Sequence, residues 1–225
     1  IGIGPHNTNR QTTAYDPTCG SGSLLLKVAA EAGKQITLYG QEFSATTAGL
    51  ARMNMILHDF PDASVQSGNT LADPKYKDGE RLKTFDYVVA NPPFSDKAWS
   101  SGLAPSADPF QRFAWGVPPA KQGDYAYLLH IIRSLKASGK GACILPHGVL
   151  FRGNAEAAIR KQLVDSGYLV GIVWNPVDER SEIQIFDCRD ARLAQGPVAR
   201  VILPRRVPHG FHATYISQKN LERWR

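Results

Sequence analysis

Along the chain, short apolar runs alternate with longer stretches whose apolar residues recur at helical spacing. Thr13 to Tyr15 reads as the end of a strand, and Leu24 to Ala32 as a helix stopped by Gly33. Ile36 to Tyr39 is a second strand. Ser44 is suited to N-cap a helix running to about Leu57, in which Leu50, Met53, Ile56 and Leu57 recur at helical spacing. That spacing predicts core packing for Met53. Ala63 to Gln66 reads as a third strand, and Phe85 to Ala90 (FDYVVA) as a fourth. Asp124 to Leu135 predicts a helix, closed by a turn at Ser138-Gly139-Lys140-Gly141 and followed by a strand over Gly141 to Leu145. Asn154 to Asp165 is a helix and Leu169 to Trp174 a sixth strand; Ile183 to Phe186 and Val198 to Leu203 are candidates for more. Strands separated by helices predict a doubly wound, mostly parallel α/β sheet. Ser95 to Gly123 breaks the alternation: it is long, rich in Pro and Gly, and carries Trp99, Phe110, Phe113 and Trp115. Loops of that length in compact domains usually serve function.

Composition narrows the picture only modestly. The 225 residues are 43% hydrophobic and 20% charged, enough for one substantial domain. The net charge of +6 suits a polyanionic partner without requiring one. No apolar run approaches a membrane span, and no secretory signal is visible. Cys19, Cys143 and Cys188 form no CxxC pair, which argues against a disulfide framework or a zinc cluster and fits a reducing cytoplasm. His58, His130 and His147 lack metal-ligand spacing, so no metal site is expected. The chain opens on Ile1 rather than Met and is expected to be a piece of something longer.

Two stretches carry chemistry. Asp16-Pro17-Thr18-Cys19-Gly20-Ser21-Gly22-Ser23 lies between a predicted strand and a predicted helix, where open α/β sheets bind ligands. Gly20 and Gly22 permit a tight turn and close approach to a ligand. Asp16 is placed to accept from an ammonium, and Ser21 and Ser23 to donate hydrogen bonds. Alone this is a plain tight turn. Glu42, following the second strand one βαβ step later, sits where an acid accepts both hydroxyls of an adenosine ribose. The turn lacks G-x-G-x-x-G spacing, against a nicotinamide dinucleotide, and lacks G-K-[ST], against a P-loop. The second stretch, Asn91-Pro92-Pro93-Phe94, ends the fourth strand. Two prolines fix the backbone and remove two N–H donors, so the Asn91 side-chain oxygen and the Pro92 carbonyl can converge on an exocyclic amine. Phe94 offers a flat face to a flipped base. In isolation the same four residues would make a rigid loop.

These residues resemble the methylation subunit of type I restriction-modification systems, a family of DNA adenine-N6 methyltransferases. The resemblance is carried by Asp16 to Gly22, Tyr39-Gly40-Gln41-Glu42, Ala51 to Met55, Gly68-Asn69-Thr70-Leu71 and Asn91 to Phe94. Later stretches carry it further: Gly116-Val117-Pro118-Pro119, Asp124-Tyr125-Ala126, and Leu145 to Gly153. It covers about Tyr15 to Val173. It implies a Rossmann-like methyltransferase fold in residues 1–174, with 175–225 as a continuation of the sheet and a tail, divergent or incompletely represented; the tail is basic. It implies that Asp16, Thr18, Cys19, Gly20, Ser21, Gly22, Ser23, Glu42 and Asn91 bind S-adenosylmethionine, with Asn69 near the adenine. Asn91, Pro92, Pro93 and Phe94 would hold a flipped target adenine. Double-stranded DNA, a specificity subunit and a restriction subunit are the implied partners, in the cytoplasm and with no membrane. The family's Thr-Pro segment upstream of the first strand is not found within Ile1 to Thr12, and the residues after Trp174 do not match. Two other functions stay open: methylation of a protein glutamine or of RNA by the same fold, and a non-catalytic scaffold subunit.

Overall fold

The computed structural model describes residues 2–150, 152–166, 168–175, 180–187 and 199–202. Along the chain run β1 (Thr13–Asp16), α1 (Ser23–Glu31), β2 (Thr37–Glu42), α2 (Ala45–Leu57) and β3 (Ser64–Ser67). A two-stranded hairpin, β4 (Lys77–Asp78) and β5 (Arg81–Leu82), precedes β6 (Phe85–Ala90). Then come α3 (Asp124–Arg133), β7 (Leu135–Cys143), α4 (Asn154–Asp165), β8 (Tyr168–Asn175), β9 (Arg180–Asp187) and β10 (Ala199–Ile202). Short 3-10 turns lie at Pro105–Ala107 and His147–Leu150. The expected basic tail, with Arg205, Arg206, His209, Lys219, Arg223 and Arg225, and Cys188 lie outside the described residues.

Eight strands form one sheet in the order β3-β2-β1-β6-β7-β10-β9-β8. From β3 to β10 neighbouring strands are parallel; β9 pairs antiparallel with both β10 and β8. The doubly wound, mostly parallel class is therefore observed. β1 and β6 are adjacent although four strands of sequence separate them, so chain progression reverses between them. In open α/β sheets that reversal opens a crevice at the carboxyl ends of the strands. Asp16 ends β1, Glu42 ends β2 and Ala90, the residue before Asn91, ends β6.

Alternation along the central strands sends side chains into two cores. Ala14, Tyr87 and Val89 join Leu25, Val28 and Ala29 of α1 and Ala48, Ala51 and Met55 of α2 on one face. Tyr15, Val88 and Ala90 join α3, Ile159 and Leu163 of α4 and the aromatics Trp99 and Phe113 on the other. Nine successive residues of α3, Asp124 to Ile132, are buried. A helix buried all round needs cover on its outer side, and the 95–123 loop supplies it. Trp99 is buried against Phe113, their rings 5.5 Å apart, and its indole N–H donates to the Pro119 carbonyl at 2.9 Å.

Two expectations need correction. Met53 is 55% exposed and Met55 1%. Leu50, Ile56 and Leu57 are exposed with Met53, while α2 packs through the small residues Ala48 and Ala51. Small side chains let α2 lie close to the Gly-rich turn, where a Cβ on Gly22 would collide with Met55 and meet Ala51. Leu50, Met53, Ile56 and Leu57 thus mark the outer face, and Met55 is the one large apolar side chain of the helix that packs inward. The Ser138–Gly141 turn is instead part of β7. Pairing runs Phe85–Leu135 and then Tyr87–Lys140, so the residues between bulge out of an otherwise continuous central strand. Gly139 permits the bulge: a Cβ there would lie 2.8 Å from the Phe85 carbonyl oxygen.

Candidate active site

The Gly-rich turn is held from three sides. The Asp16 side chain accepts from the Thr18 N–H at 2.9 Å, folding the chain back directly after β1. Gly22 N–H donates to the Cys19 carbonyl at 2.7 Å, and Cys19 N–H to the Gln41 carbonyl of β2 at 2.9 Å. Asn54 of α2 donates through Nδ2 to the Ser21 carbonyl at 3.0 Å. Gly20 and Gly22 have φ of 53° and 82°, a region that side chains with a Cβ enter at a cost. Their surroundings differ. A Cβ on Gly20 would meet nothing within 4 Å, so this residue faces open space, whereas Gly22 abuts α2. The two glycines serve separate ends: one keeps the ligand side clear, the other lets two helices approach.

Glu42 is the second anchor. Its two carboxylate oxygens accept from the Gly20 N–H at 3.0 Å and the Ser44 N–H at 2.9 Å. Each oxygen retains a lone pair for a hydroxyl donor. Ser44 caps α2 through its hydroxyl, which accepts from the Thr47 N–H, as the sequence predicts. Asp16 is 2% exposed, and burial pushes its carboxyl up to about 7, opposed by the Thr18 hydrogen bonds and assisted by the Glu42 charge. A buried acid poised near neutrality suits a cationic ligand group. Helix α1 has Gly22 as its N-cap and so no side-chain cap, leaving its first N–H groups for a ligand's negative or carbonyl oxygen.

At the end of β6, Asn91 is exposed, Pro92 buried and Phe94 49% exposed. The Ala90 carbonyl accepts from the Ile144 N–H at 2.9 Å, tying the motif to the segment after β7. β1 therefore lies between β2 and β6, with Asp16 following one neighbour's Glu42 and preceding the other's Asn91 along one sheet edge. Other expected residues are engaged within the protein. The Cys19 side chain is buried, and a Cβ on Gly40 would lie 2.9 Å from its sulfur, so Cys19 packs the turn. Ser21 and Ser23 are exposed and hydrogen-bonded to each other at 2.9 Å. Asn69 Oδ1 accepts from the Leu71 and Ala72 N–H groups and caps that turn, which leaves its amide nitrogen for a ligand.

Sequence reasoning missed Phe43. It follows Glu42 directly and is 76% exposed, a flat apolar face beside the acid. An aromatic next to a predicted ribose acid was the available signal. His58 is the C-cap of α2, and His130 is buried. Among the described residues no group of three His, Cys, Asp or Glu could hold a metal. No described helix is long and apolar enough to cross a membrane.

The model of the N-6 DNA Methylase family matches residues 3–178. A shorter match, residues 156–217, is to a model described as Retinal pigment epithelial membrane protein; it overlaps the first. The type I restriction enzyme MpnII methylase subunit of Mycoplasma pneumoniae is 35% identical over 188 residues, covering 78% of this chain and 34% of that protein. The HindI methylase subunit of Haemophilus influenzae is 35% identical, over 72% of this chain and 37% of its own length. Among solved structures, a type I restriction-modification system methyltransferase subunit from Streptococcus thermophilus superposes with a TM-score of 0.63 at 39% identity. That match covers 71% of this chain and 34% of that one. A putative class I S-adenosylmethionine-dependent methyltransferase from Listeria monocytogenes shares the fold (TM-score 0.57, 17% identity, 85% of this chain and 57% of that one). The chain thus spans about a third of the length of the type I relatives. With the motif order, the sheet topology and the family model in agreement, this chain belongs to the N-6 DNA methylase family.

Proposed function

We propose that this chain is the catalytic part of a DNA adenine-N6 methyltransferase, using S-adenosylmethionine, within a type I restriction-modification system. The observation that carries this is the succession of Glu42, Asp16 and Asn91 on the ends of three adjacent parallel strands, with Phe94 half-exposed beside them. The residues fit the cofactor. Glu42 has capacity for two ribose hydroxyls, Phe43 offers a face for the adenine, buried Asp16 suits the ammonium, and Gly20 leaves room. When bound, the cofactor supplies an electrophilic methyl group on a sulfonium.

The chain's own part is then positioning. Asn91 and the Pro92 carbonyl accept the two hydrogens of the target amine and turn its lone pair towards the methyl group. Phe94 stacks on the base, which has to leave the helix to reach it. No strong base is needed, because the amine proton can leave to water after transfer. Orienting two reactants in this way accounts for much of a bimolecular rate enhancement. Residues 1–174 are assigned to the catalytic domain, and after them β9 and β10 continue its sheet. We further infer that a separate specificity subunit reads the DNA, that a restriction subunit completes the assembly, and that it works in the cytoplasm. Relatives that are themselves methylase subunits of type I enzymes support that inference.

Labelled S-adenosylmethionine tests the proposal. Label on adenine N6 in double-stranded DNA, lost in Asn91→Ala, is the expected result. Label on protein glutamine or RNA would move the activity to another substrate. Cofactor binding without transfer to any of these would make the chain a scaffold.

A further inference from the structure

The chain leaves the Asn91–Phe94 motif through a residue in an unusual conformation. Ser95 has φ of 52°, in the left-handed region that a side chain with a Cβ rarely occupies. Such a geometry persists when its surroundings hold it. Here the Ser95 N–H donates at 2.7 Å to Oδ1 of Asp124, the first residue of α3 and fully buried. The next residue is held as well. The Asp96 carbonyl accepts from the Gly123 N–H at 3.0 Å, and its side chain from the Tyr127 hydroxyl at 3.0 Å. Gly123 has no room for a Cβ, which would lie 2.7 Å from Trp99 Cβ.

Asp124 is itself oriented from the far side. Its Oδ2 receives Nη2 of Arg152 in a close ion pair. The same guanidinium donates through Nε to Glu156 of α4 at 2.6 Å and through Nη1 to Gln122 at 3.0 Å. Arg160, one turn further along α4, grips the Arg152 carbonyl at 2.7 Å and the Val149 carbonyl at 2.9 Å. A planar guanidinium engaged on three sides is a fixed strut, a role that a lysine cannot fill. Neither Asp124 nor Arg152 is among the residues assigned above to the cofactor or the base.

We propose that Asp124 and Arg152 are positioning residues that lock the exit of the Asn91–Phe94 motif, so setting the orientation of Asn91 and Phe94 towards the target base. This rests on the methyltransferase function proposed above. The lock acts through the Ser95 N–H and touches neither Asp16, Glu42 nor the Gly-rich turn. It should therefore slow the transfer step far more than it weakens cofactor binding, to which only Asn91 of the locked residues would contribute.

The test uses the complete enzyme with Asp124→Asn, Asp124→Ala and Arg152→Lys, and Asn91→Ala as a control. Asp124→Asn keeps an oxygen for the Ser95 N–H and loses the ion pair; Asp124→Ala loses both. Calorimetry should give cofactor affinities within about twofold of wild type. Single-turnover transfer at saturating cofactor and DNA should slow by about 10-fold in Asp124→Asn and by up to about 100-fold in Asp124→Ala, the scale of sub-ångström to ångström misplacement. DNA carrying 2-aminopurine at the target position should lose part of its fluorescence change on binding, reporting altered capture of the base. Should Asp124→Asn fail to fold, Arg152→Lys decides, with the same expectation. Wild-type transfer rates in folded variants would overturn the proposal. So would parallel losses of cofactor affinity, thermal midpoint and rate, which would mark a merely structural role. A wild-type enzyme that methylates no adenine, or an Asn91→Ala variant that methylates normally, would instead overturn the methyltransferase function itself.

Discussion

Cofactor binding should release a proton from Asp16 wherever the solution lies below pH 7. In the free protein this carboxyl is buried at the end of β1 and pushed up from 3.8 to about 7, chiefly by loss of solvation. At pH 6 about nine molecules in ten therefore carry a proton there, and at pH 8 about one in ten. An ammonium or sulfonium brought against Asp16 supplies the counter-charge that burial removed, and returns the group to its ionised form. By linkage, affinity should fall by about tenfold for each pH unit below 7, equivalent to about 1.4 kcal/mol. Titration calorimetry at pH 6 and 8, each in two buffers of different ionisation enthalpy, measures both quantities. We expect about 0.9 proton released per cofactor at pH 6, about 0.1 at pH 8, and roughly tenfold weaker binding at pH 6. Asp16→Asn should bind more weakly at pH 8 and lose the pH dependence. Affinities within twofold between pH 6 and 8, with heats independent of buffer, would refute the reasoning.

Three further outcomes follow from the interior. His130 is 1% exposed and its pKa is depressed to about 3, first by burial and then by the Arg112 charge. Its neutral form contributes stability that is full above 6.5 and lost as pH falls towards 3. Between pH 7 and 5, urea denaturation should show wild type losing about 2 kcal/mol more than His130→Gln. Arg112 and Asp108 form an ion pair with both side chains 1% exposed, and Arg112→Met should cost about 3–5 kcal/mol by stranding the carboxylate. On α2, Met55→Ala should cost about 2–5 kcal/mol and Met53→Ser less than about 0.5, a contrast readable from denaturation midpoints.

That last contrast shows where sequence reasoning stopped. Elements whose local chemistry agrees with their surroundings were legible: FDYVVA as a central strand, Ser44 as a cap, Asn154–Asp165 as a helix. The direction of α2 was not, because periodicity reports large apolar residues, whereas close packing on a glycine turn selects small ones. Ser-Gly-Lys-Gly reads as a turn by composition, but pairing with β6 and β10 on either side draws it into β7. The placement of Asp16, Glu42 and Asn91 at the ends of three strands was legible, because each lies at the edge of a predicted strand. The supports of that site were not. Asp124 and Arg152 are 28 residues apart, and the Arg112–His130 contact joins a loop to a helix. No spacing rule marks such pairs, since only the folded chain makes a buried charge costly enough to require its partner.

The two hydrogen bonds that Glu42 accepts have a bearing on how its substitutions are interpreted. The carboxylate pins the Gly-rich turn to the start of α2 before any ligand arrives, so the turn is preorganised and its ordering cost falls on folding. Under the proposed function, Glu42→Ala would then remove a ligand contact and loosen the turn beside it, and its loss of affinity would overstate what the ribose hydroxyls contribute. Glu42→Gln retains one oxygen for one of the two backbone donors, and the difference between the two variants separates contact from scaffold. Redesign of the proposed cofactor site for another nucleoside would meet the same coupling: an altered residue 42 would have to recognise the new sugar and still bridge turn and helix.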